Sequence, residues 1–248
     1  MYYSNKCIRI ISMKVIMLAA GKGTRISRKI QDVPKSTLPI NDKPLIRLNA
    51  ENYLAKGYEV VVVAGYQRQH IEKALEGLNV KFYYNPFYAV TNSIGSIWVA
   101  RHELDEDDAI IMNADVYYDP EILTKLLNTP GEVSMVADSS RVEVGDYFFG
   151  TDSQGNIKKY GKQIPLEERT AEYVGLAIVR HPFTHKFKDM INQLVWEGHY
   201  DYWWENALYE LADEGYSIPT IDINGYFWSE IDYFDDYIRI LNYVNEKK

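Results

Sequence analysis

Val15-Ile16-Met17-Leu18-Ala19-Ala20 is an unbroken apolar run that stops at Gly21-Lys22. A run this short, without alternation, suits a strand covered on both faces of a parallel sheet. Glu59 to Gly65 repeats the pattern as a second buried strand, and Val80 to Tyr84, Ala109 to Met112 and Glu132 to Ala137 read as further strands, the first of these stopping at Asn85-Pro86. Helical spacing fills the gaps. Asp42-Lys43-Pro44 offers a cap and a first-turn proline for a helix over Pro44 to Lys56, with Gly57 after it. Gln67 to Glu76 carries Ile71, Ala74 and Leu75 on one face. Thr91 to Leu104 is a third helix. Asp119-Pro120 caps a fourth, running through Leu127. Strand and helix in alternation imply a parallel sheet with right-handed crossovers.

The pattern changes after about Asp138. Glycines at 145, 150, 155, 161 and 175 break residues 145–180 into short strand-like runs, with a hairpin around Ser153 to Asn156. The chain then returns to helices over 184–196 and 201–214, a strand over Ile218 to Ile223, and a last helix from about Tyr233. The expected fold class is α/β: a Rossmann-like, mixed but mostly parallel sheet flanked by helices, with a small antiparallel subregion in the second half. Residues 13–248 are read as a single domain and residues 1–12 as a flexible N-terminal extension.

Composition narrows the function classes. Hydrophobic residues make up 46% and charged residues 25% of the 248, so a substantial core needs no staple. Cys7 is the one cysteine, which excludes an internal disulfide and fits a cytoplasmic setting. No apolar stretch approaches the roughly 20 residues of a membrane-spanning helix. The net charge of −8 argues against nucleic acid as a partner. The charge is also unevenly placed. Gly21 to Lys35 holds five cations and one anion, whereas His102 to Glu121 holds eight acids and neither Lys nor Arg. A basic loop in an acidic chain suits a small polyanion, although a solvated loop would look the same.

That loop is glycine-rich: Leu18-Ala19-Ala20-Gly21-Lys22-Gly23-Thr24-Arg25. Glycines let a backbone approach phosphate and aim N–H groups at it. The segment is not a P-loop, because its lysine lies between the glycines, nor a dinucleotide fingerprint, because residue 26 is Ile. Val33-Pro34-Lys35-Ser36-Thr37-Leu38-Pro39-Ile40 follows, then Asp42-Lys43-Pro44-Leu45-Ile46. Together these segments resemble the sugar-phosphate nucleotidyltransferase superfamily, whose fold is also glycosyltransferase-A-like. The resemblance implies that residues 18–25 wrap a nucleoside triphosphate. It also implies that Arg25 and Lys35 are catalytic cations, stabilising the charge that develops on the phosphoryl oxygens.

Asp115 follows a strand, where open α/β sheets bind their ligands. The resemblance makes it a catalytic Mg²⁺ ligand. Trp228-Ser229-Glu230-Ile231-Asp232 resembles the family's segment before its last helix, which makes Asp232 the second ligand and Glu230 its neighbour. Asp232 would serve equally as a helix cap. No histidine pair or cysteine cluster suggests zinc.

Asn85 to Tyr88, Thr91 to Trp98, Glu172 to Leu176 and Trp228 to Asp232 resemble bacterial phosphocholine cytidylyltransferases and their relatives. That places Asn92 and Ser96 against the base of CTP. Lys162, Glu172, Tyr173, Glu205, Trp228 and Glu230 fall on the acceptor side. Trp98, Trp203, Trp204, Trp228 and Tyr173 are candidates for a cage around a quaternary ammonium. The expected reaction is Mg²⁺-dependent transfer of CMP from CTP to a phosphocholine-like acceptor with release of pyrophosphate. Phosphoglutamine, an aminoalkylphosphonate and inositol phosphate stay open as acceptors. A sugar-1-phosphate uridylyl-, thymidylyl- or guanylyltransferase, and a non-catalytic nucleotide-binding module, are the alternatives. A homodimer is compatible with any of these.

Overall fold

A computed structural model describes residues 12–23, 25 and 33–247. Residues 1–11, and with them the expected extension up to Ser12, lie outside the described residues, as do Thr24 and Arg28. The first half comprises β1 (Met13–Ala19), β2 (Pro39–Ile40), β3 (Lys43–Pro44), α1 (Leu45–Leu54), β4 (Glu59–Ala64), α2 (Arg68–Ala74), β5 (Val80–Tyr84), α3 (Ser93–Val99), β6 (Asp108–Asn113), β7 (Val116–Tyr118) and α4 (Pro120–Asn128). The second half comprises β8 (Val133–Asp138), β9 (Phe148–Thr151), β10 (Ile157–Gly161), β11 (Ala171–Val179), α5 (Phe183–Trp196), α6 (Asn206–Asp213), β12 (Thr220–Asp222), β13 (Trp228–Glu230) and α7 (Phe234–Glu246).

The main sheet has nine strands and runs β10-β9-β11-β6-β1-β4-β5, with β8 and β12 branching from β11. β6, β1, β4 and β5 pair in parallel. β11 pairs antiparallel with β6, β8 and β9. The apolar runs are buried on both faces because alternate residues feed opposite cores. Ile16, Val61, Val63 and Ile111 pack under α3, α5 and α6. Val15, Met17, Val60, Val62 and Met112 pack on the other face with α1, α2 and α4. A third cluster seats α7: Ile240 and Val244 meet Leu38, Ile40, Leu45 and Ile231.

Several sequence expectations shift. Asp42 does not cap α1, since Asn41 and Asp42 take φ of 48° and 67° and turn the β2–β3 hairpin instead. The expected helix over 91–104 is α3 followed by a 3₁₀ turn at Arg101–Leu104. Asp119 occupies the cap position of α4 but makes no capping hydrogen bond. Its carboxylate accepts instead from Tyr243 Oη at 2.6 Å, Lys247 Nζ at 3.1 Å and Phe227 N at 3.2 Å, fastening the end of α7 to the sheet. The β7–β13 ribbon was invisible in sequence because three residues per strand carry no periodic signal.

One buried carboxylate cross-links the sheet edge. Glu103 is 3% exposed. Lys14 reaches it at 2.9 Å, Lys81 at 2.5 Å and the Tyr83 hydroxyl at 2.5 Å. Burial alone would raise its pKa. Hydrogen bonds from Lys81, Tyr83 and Lys14 outweigh that and hold it at about 2. A carboxylate depressed on folding contributes stability above its unfolded pKa and loses it as pH falls through the folded value. Glu103→Gln should therefore destabilise the chain by roughly 2 kcal/mol at pH 7. Urea unfolding should show that difference closing between about pH 4.5 and pH 2; a difference independent of pH would contradict the ion-pair origin.

Candidate active site

The loop after β1 opens a cleft of about 350 Å³ beyond the carboxyl ends of β1 and β6. Leu18, Ala19, Ala20, Gly21, Lys22, Gly23 and Arg25 all line it. Thr24 lies outside the described residues. Gly23 is required twice over. Its φ is +58°, and a Cβ there would lie 2.6 Å from Lys35 Cγ. The loop and Lys35 therefore pack as one unit.

Lys35 sits on the 3₁₀ turn Lys35–Thr37. Its ammonium lies 2.7 Å from Asp115 Oδ2 and 2.8 Å from Asp232 Oδ1. Arg25 Nη1 approaches the other Asp232 oxygen at 2.6 Å and Asp146 at 3.2 Å. The ribbon explains the meeting of residues more than a hundred positions apart. Asp115 precedes β7 and Asp232 follows β13, with Val116 paired to Glu230 and Ile231 N bonded to Asp115 O at 3.1 Å.

Electrostatics follow from this geometry. Burial opposes the charge on Lys35, but Asp115 and Asp232 outweigh it and hold its pKa above the ordinary value. Burial likewise opposes ionisation of Asp232, and Lys35 and Arg25 bring its pKa below the usual range. Glu230 is pushed well above the usual carboxyl value, first by burial and then by Asp115. Asp115 and Asp232 thus share the Lys35 ammonium, with Arg25 on the far oxygen of Asp232 and the buried Glu230 carboxyl beside them.

That arrangement fits a hard divalent cation. Among the described residues no group of three or more His, Cys, Asp or Glu side chains is arranged around a metal position. Mg²⁺ needs only one or two carboxylates, completed by phosphate oxygens and waters. Asp115 and Asp232 already converge on a single positive charge, through oxygen donors alone.

On the base side, Asn92 and Ser96 both reach the cleft. Asn92 caps α3 through Ser93 N at 2.9 Å and donates to Asp201 O at 3.2 Å. Ser96 is buried and within 3.1 Å of Asn85 Nδ2, which also reaches Thr91 Oγ1 at 3.1 Å. Asn85, read in sequence as a strand stop, is the centre of this network.

A second cavity of about 290 Å³ adjoins the first, with Arg25, Asn113, Trp203, Glu230 and Asp232 lining both. Lys162, Glu172, Tyr173, Glu205 and Trp228 face it, so all six acceptor-side candidates come together. Lys162 lies over the Trp203 ring at 5.2 Å. Lys158 and Lys159 turn away to Asp152 and Glu168. Burial pushes Glu172 and Glu205 up to about 7, with Arg141 partly countering it at Glu172. Gly145 makes room for Glu172, whose carboxyl carbon would lie 2.4 Å from a Cβ there.

The aromatic lining differs in membership from the expected cage. Trp204 is fully buried and donates to Asn113 at 3.0 Å. Trp98 lines a separate apolar cavity between α3 and α5. Neither borders the second cavity. Trp203, Tyr173 and Trp228 do, joined by Tyr147 and Tyr209. Tyr147, Asp146, Arg141 and Arg239 were missed. They lie in a loop and a terminal helix where no local pattern marks them.

A family model for the MobA-like NTP transferase domain matches residues 15–182. CTP:phosphoglutamine cytidylyltransferase of Campylobacter jejuni is 25% identical, covering 90% of this chain and 97% of the relative. Choline-phosphate cytidylyltransferase of Streptococcus pneumoniae is 24% identical over 92% and 96%. CMP-5'-(3-aminopropyl)phosphonate synthase of Streptomyces rubellomurinus is 24% identical over 90% of this chain, which spans 37% of that longer protein. The solved CTP:phosphocholine cytidylyltransferase of Streptococcus pneumoniae superposes with a TM-score of 0.79 at 22% identity, over 94% of this chain and all of that one. The inositol-1-phosphate CTP transferase of T. maritima gives 0.78 at 18%, over 96% and 98%. These superpositions establish a shared fold.

The raised pKa of Glu205 has a stability consequence. A carboxyl raised on folding favours the native state below its unfolded pKa of about 4.5 and ceases to do so as pH rises through about 7. Glu205→Gln should therefore gain stability relative to the wild type between pH 5 and pH 8, by roughly 2–3 kcal/mol. Denaturant unfolding at the two pH values measures this. Equal differences would mean that Glu205 ionises normally.

Proposed function

The chain belongs to the MobA-like NTP transferase domain family, and from that premise we propose that it transfers CMP from CTP to a small, amino-bearing phosphorylated acceptor. Nucleotidyl transfer itself follows from the family and its cytidylyltransferase relatives. The observation that carries the mechanism is Lys35 held between Asp115 and Asp232 where the nucleotide and acceptor cavities meet. The joint presence of Arg25, Lys35, Asp115 and Asp232 at one site speaks against a catalytically silent module.

In this reading the loop of residues 18–25 cradles the triphosphate with its backbone N–H groups. Asn85, Thr91, Asn92 and Ser96 form the wall for the base. An oxygen of the acceptor phosphate attacks the α-phosphorus; the new P–O bond forms as the bond to the β-phosphate breaks, and pyrophosphate leaves. The acceptor oxygen is already ionised at neutral pH, so no side-chain nucleophile or general base is needed. Rate comes from positioning and from neutralising charge. Arg25 and Lys35 oppose the negative charge that grows on the phosphoryl oxygens and the leaving group. Mg²⁺ held by Asp115 and Asp232 would supply further charge neutralisation at the same oxygens. Trp203, bordering both cavities, keeps the two substrates aligned.

The acceptor preference follows from charge and shape. Glu172 and Glu205 sit among Tyr147, Tyr173, Trp203 and Tyr209, a lining suited to an ammonium group. A sugar phosphate would bring no counter-charge to the buried Glu205, whereas Glu172 already pairs with Arg141.

Lys35→Ala should lower kcat by roughly 10²–10³, the loss expected for one fixed transition-state donor. Asp115→Asn should remove Mg²⁺-dependent turnover while leaving the thermal unfolding midpoint within a few degrees. Pyrophosphate release, measured with four NTPs against amino-bearing acceptors and glucose 1-phosphate, checks both variants and the substrate reading. Turnover restricted to UTP or dTTP with the sugar phosphate would overturn the cytidylyl assignment and keep the mechanism.

A further inference from the structure

Arg141 and Arg239 face the acceptor cavity from two elements far apart in sequence, the loop after β8 and the helix α7. Arg141 lies over the Trp228 ring at 4.7 Å and pairs through Nε with Glu172 at 2.7 Å. Its Nη1 is buried with no hydrogen-bond partner. Arg239 donates from Nη2 to Ser229 Oγ at 2.6 Å and lies 5.7 Å over Phe227. It forms no ion pair with a described carboxylate.

The acids around them are committed elsewhere. Asp138 accepts the Trp228 indole N–H at 2.8 Å and Ser140 N at 2.9 Å. Asp236 accepts the backbone N–H of Asp232 and Tyr233 at 3.2 and 2.7 Å. Glu172 accepts Asp146 N at 3.0 Å in addition to Arg141. Two guanidiniums thus face this end of the cavity, and only that of Arg141 has an ion pair among the described residues. Burial and the charge of Arg141 lower the pKa of Arg239 and outweigh Asp236, Glu172 and Asp138, which raise it. Transfer of a nucleotidyl group needs nothing of this kind, because Arg25 and Lys35 already stand at Asp115 and Asp232. A planar carboxylate matches a guanidinium fork in geometry and charge.

We infer that Arg141 and Arg239 read a carboxylate that the acceptor carries in addition to its phosphate, so that the acceptor is a zwitterion of the amino-acid type. This rests on the cytidylyltransferase reading and makes it narrower. The phosphate lies toward Arg25, the ammonium toward Glu205 and its aromatic neighbours, and the carboxylate toward the two arginines.

O-phosphoserine and phosphoethanolamine differ by one carboxylate and test this directly. With CTP and Mg²⁺, kcat/KM should favour O-phosphoserine by roughly 10- to 100-fold, the worth of a charged hydrogen-bonded contact. Arg239→Gln should bring the ratio near one, and Arg239→Lys should restore part of it. A wild-type ratio of one or below overturns the inference. So does an equal loss for both acceptors in Arg239→Gln, which would place the arginine on the phosphate. Calorimetric titration of each acceptor into the wild-type protein gives the same ratio without turnover. A binding preference for O-phosphoserine with no turnover with CTP would sink the cytidylyltransferase reading alone. If Arg239→Gln does not fold, the wild-type ratio still decides.

Discussion

Lys35 sets the constraint on which the catalytic half of the molecule depends. Two carboxylates brought this close would repel strongly and resist ionisation. The ammonium between Asp115 and Asp232 offsets that repulsion. Arg25 adds a second cation to Asp232 from the glycine-rich loop. The lysine side chain also fills the space left open by Gly23, so the loop and the carboxylates are positioned together.

The scaffold serves that one junction. The parallel strands β1 and β6 deliver the loop and Asp115 to the same sheet edge. The β7–β13 ribbon returns the chain from residue 230 to residue 116, and α7 is fastened behind it through Asp119, Tyr243 and Lys247. Antiparallel β11 carries Glu172 and Tyr173 beside the same edge. The second cavity is consequently walled mostly by elements from the second half of the chain, and the first mostly by elements from the first half.

The two cavities also differ in character. The first is lined by the glycine-rich loop and small residues, with Lys22, Arg25 and Lys35 facing Asp115 and Asp232. The second is lined by aromatics, by Glu172, Glu205 and Glu230, which burial raises, and by Arg25, Arg141 and Arg239. Charges of both signs in a confined space favour a ligand that carries both signs itself, because each buried group then meets a counter-charge.

Much was legible from the sequence, and for definite reasons. Continuous apolar runs named the central strands β1 and β4, since burial on both faces permits no alternation, while the edge strand β5 has no buried residue. The glycine-rich turn, Lys35, Asp115 and Asp232 were legible because each sits in a short segment whose residue types have few other uses together. Local pattern misled where a side chain had a tertiary alternative. Asp42 and Asp119 looked like helix caps, but a hairpin turn took one and the end of α7 took the other. Trp98 and Trp204 looked like cage residues because aromatic composition cannot distinguish core from cavity. Asn85 was legible only as a strand stop and part of a familiar segment, and Arg141, Tyr147 and Arg239 carried no signal at all. Their roles arise from neighbours up to a hundred residues away, and only the folded chain decides which distant side chains share a charge, a cavity or a hydrogen bond.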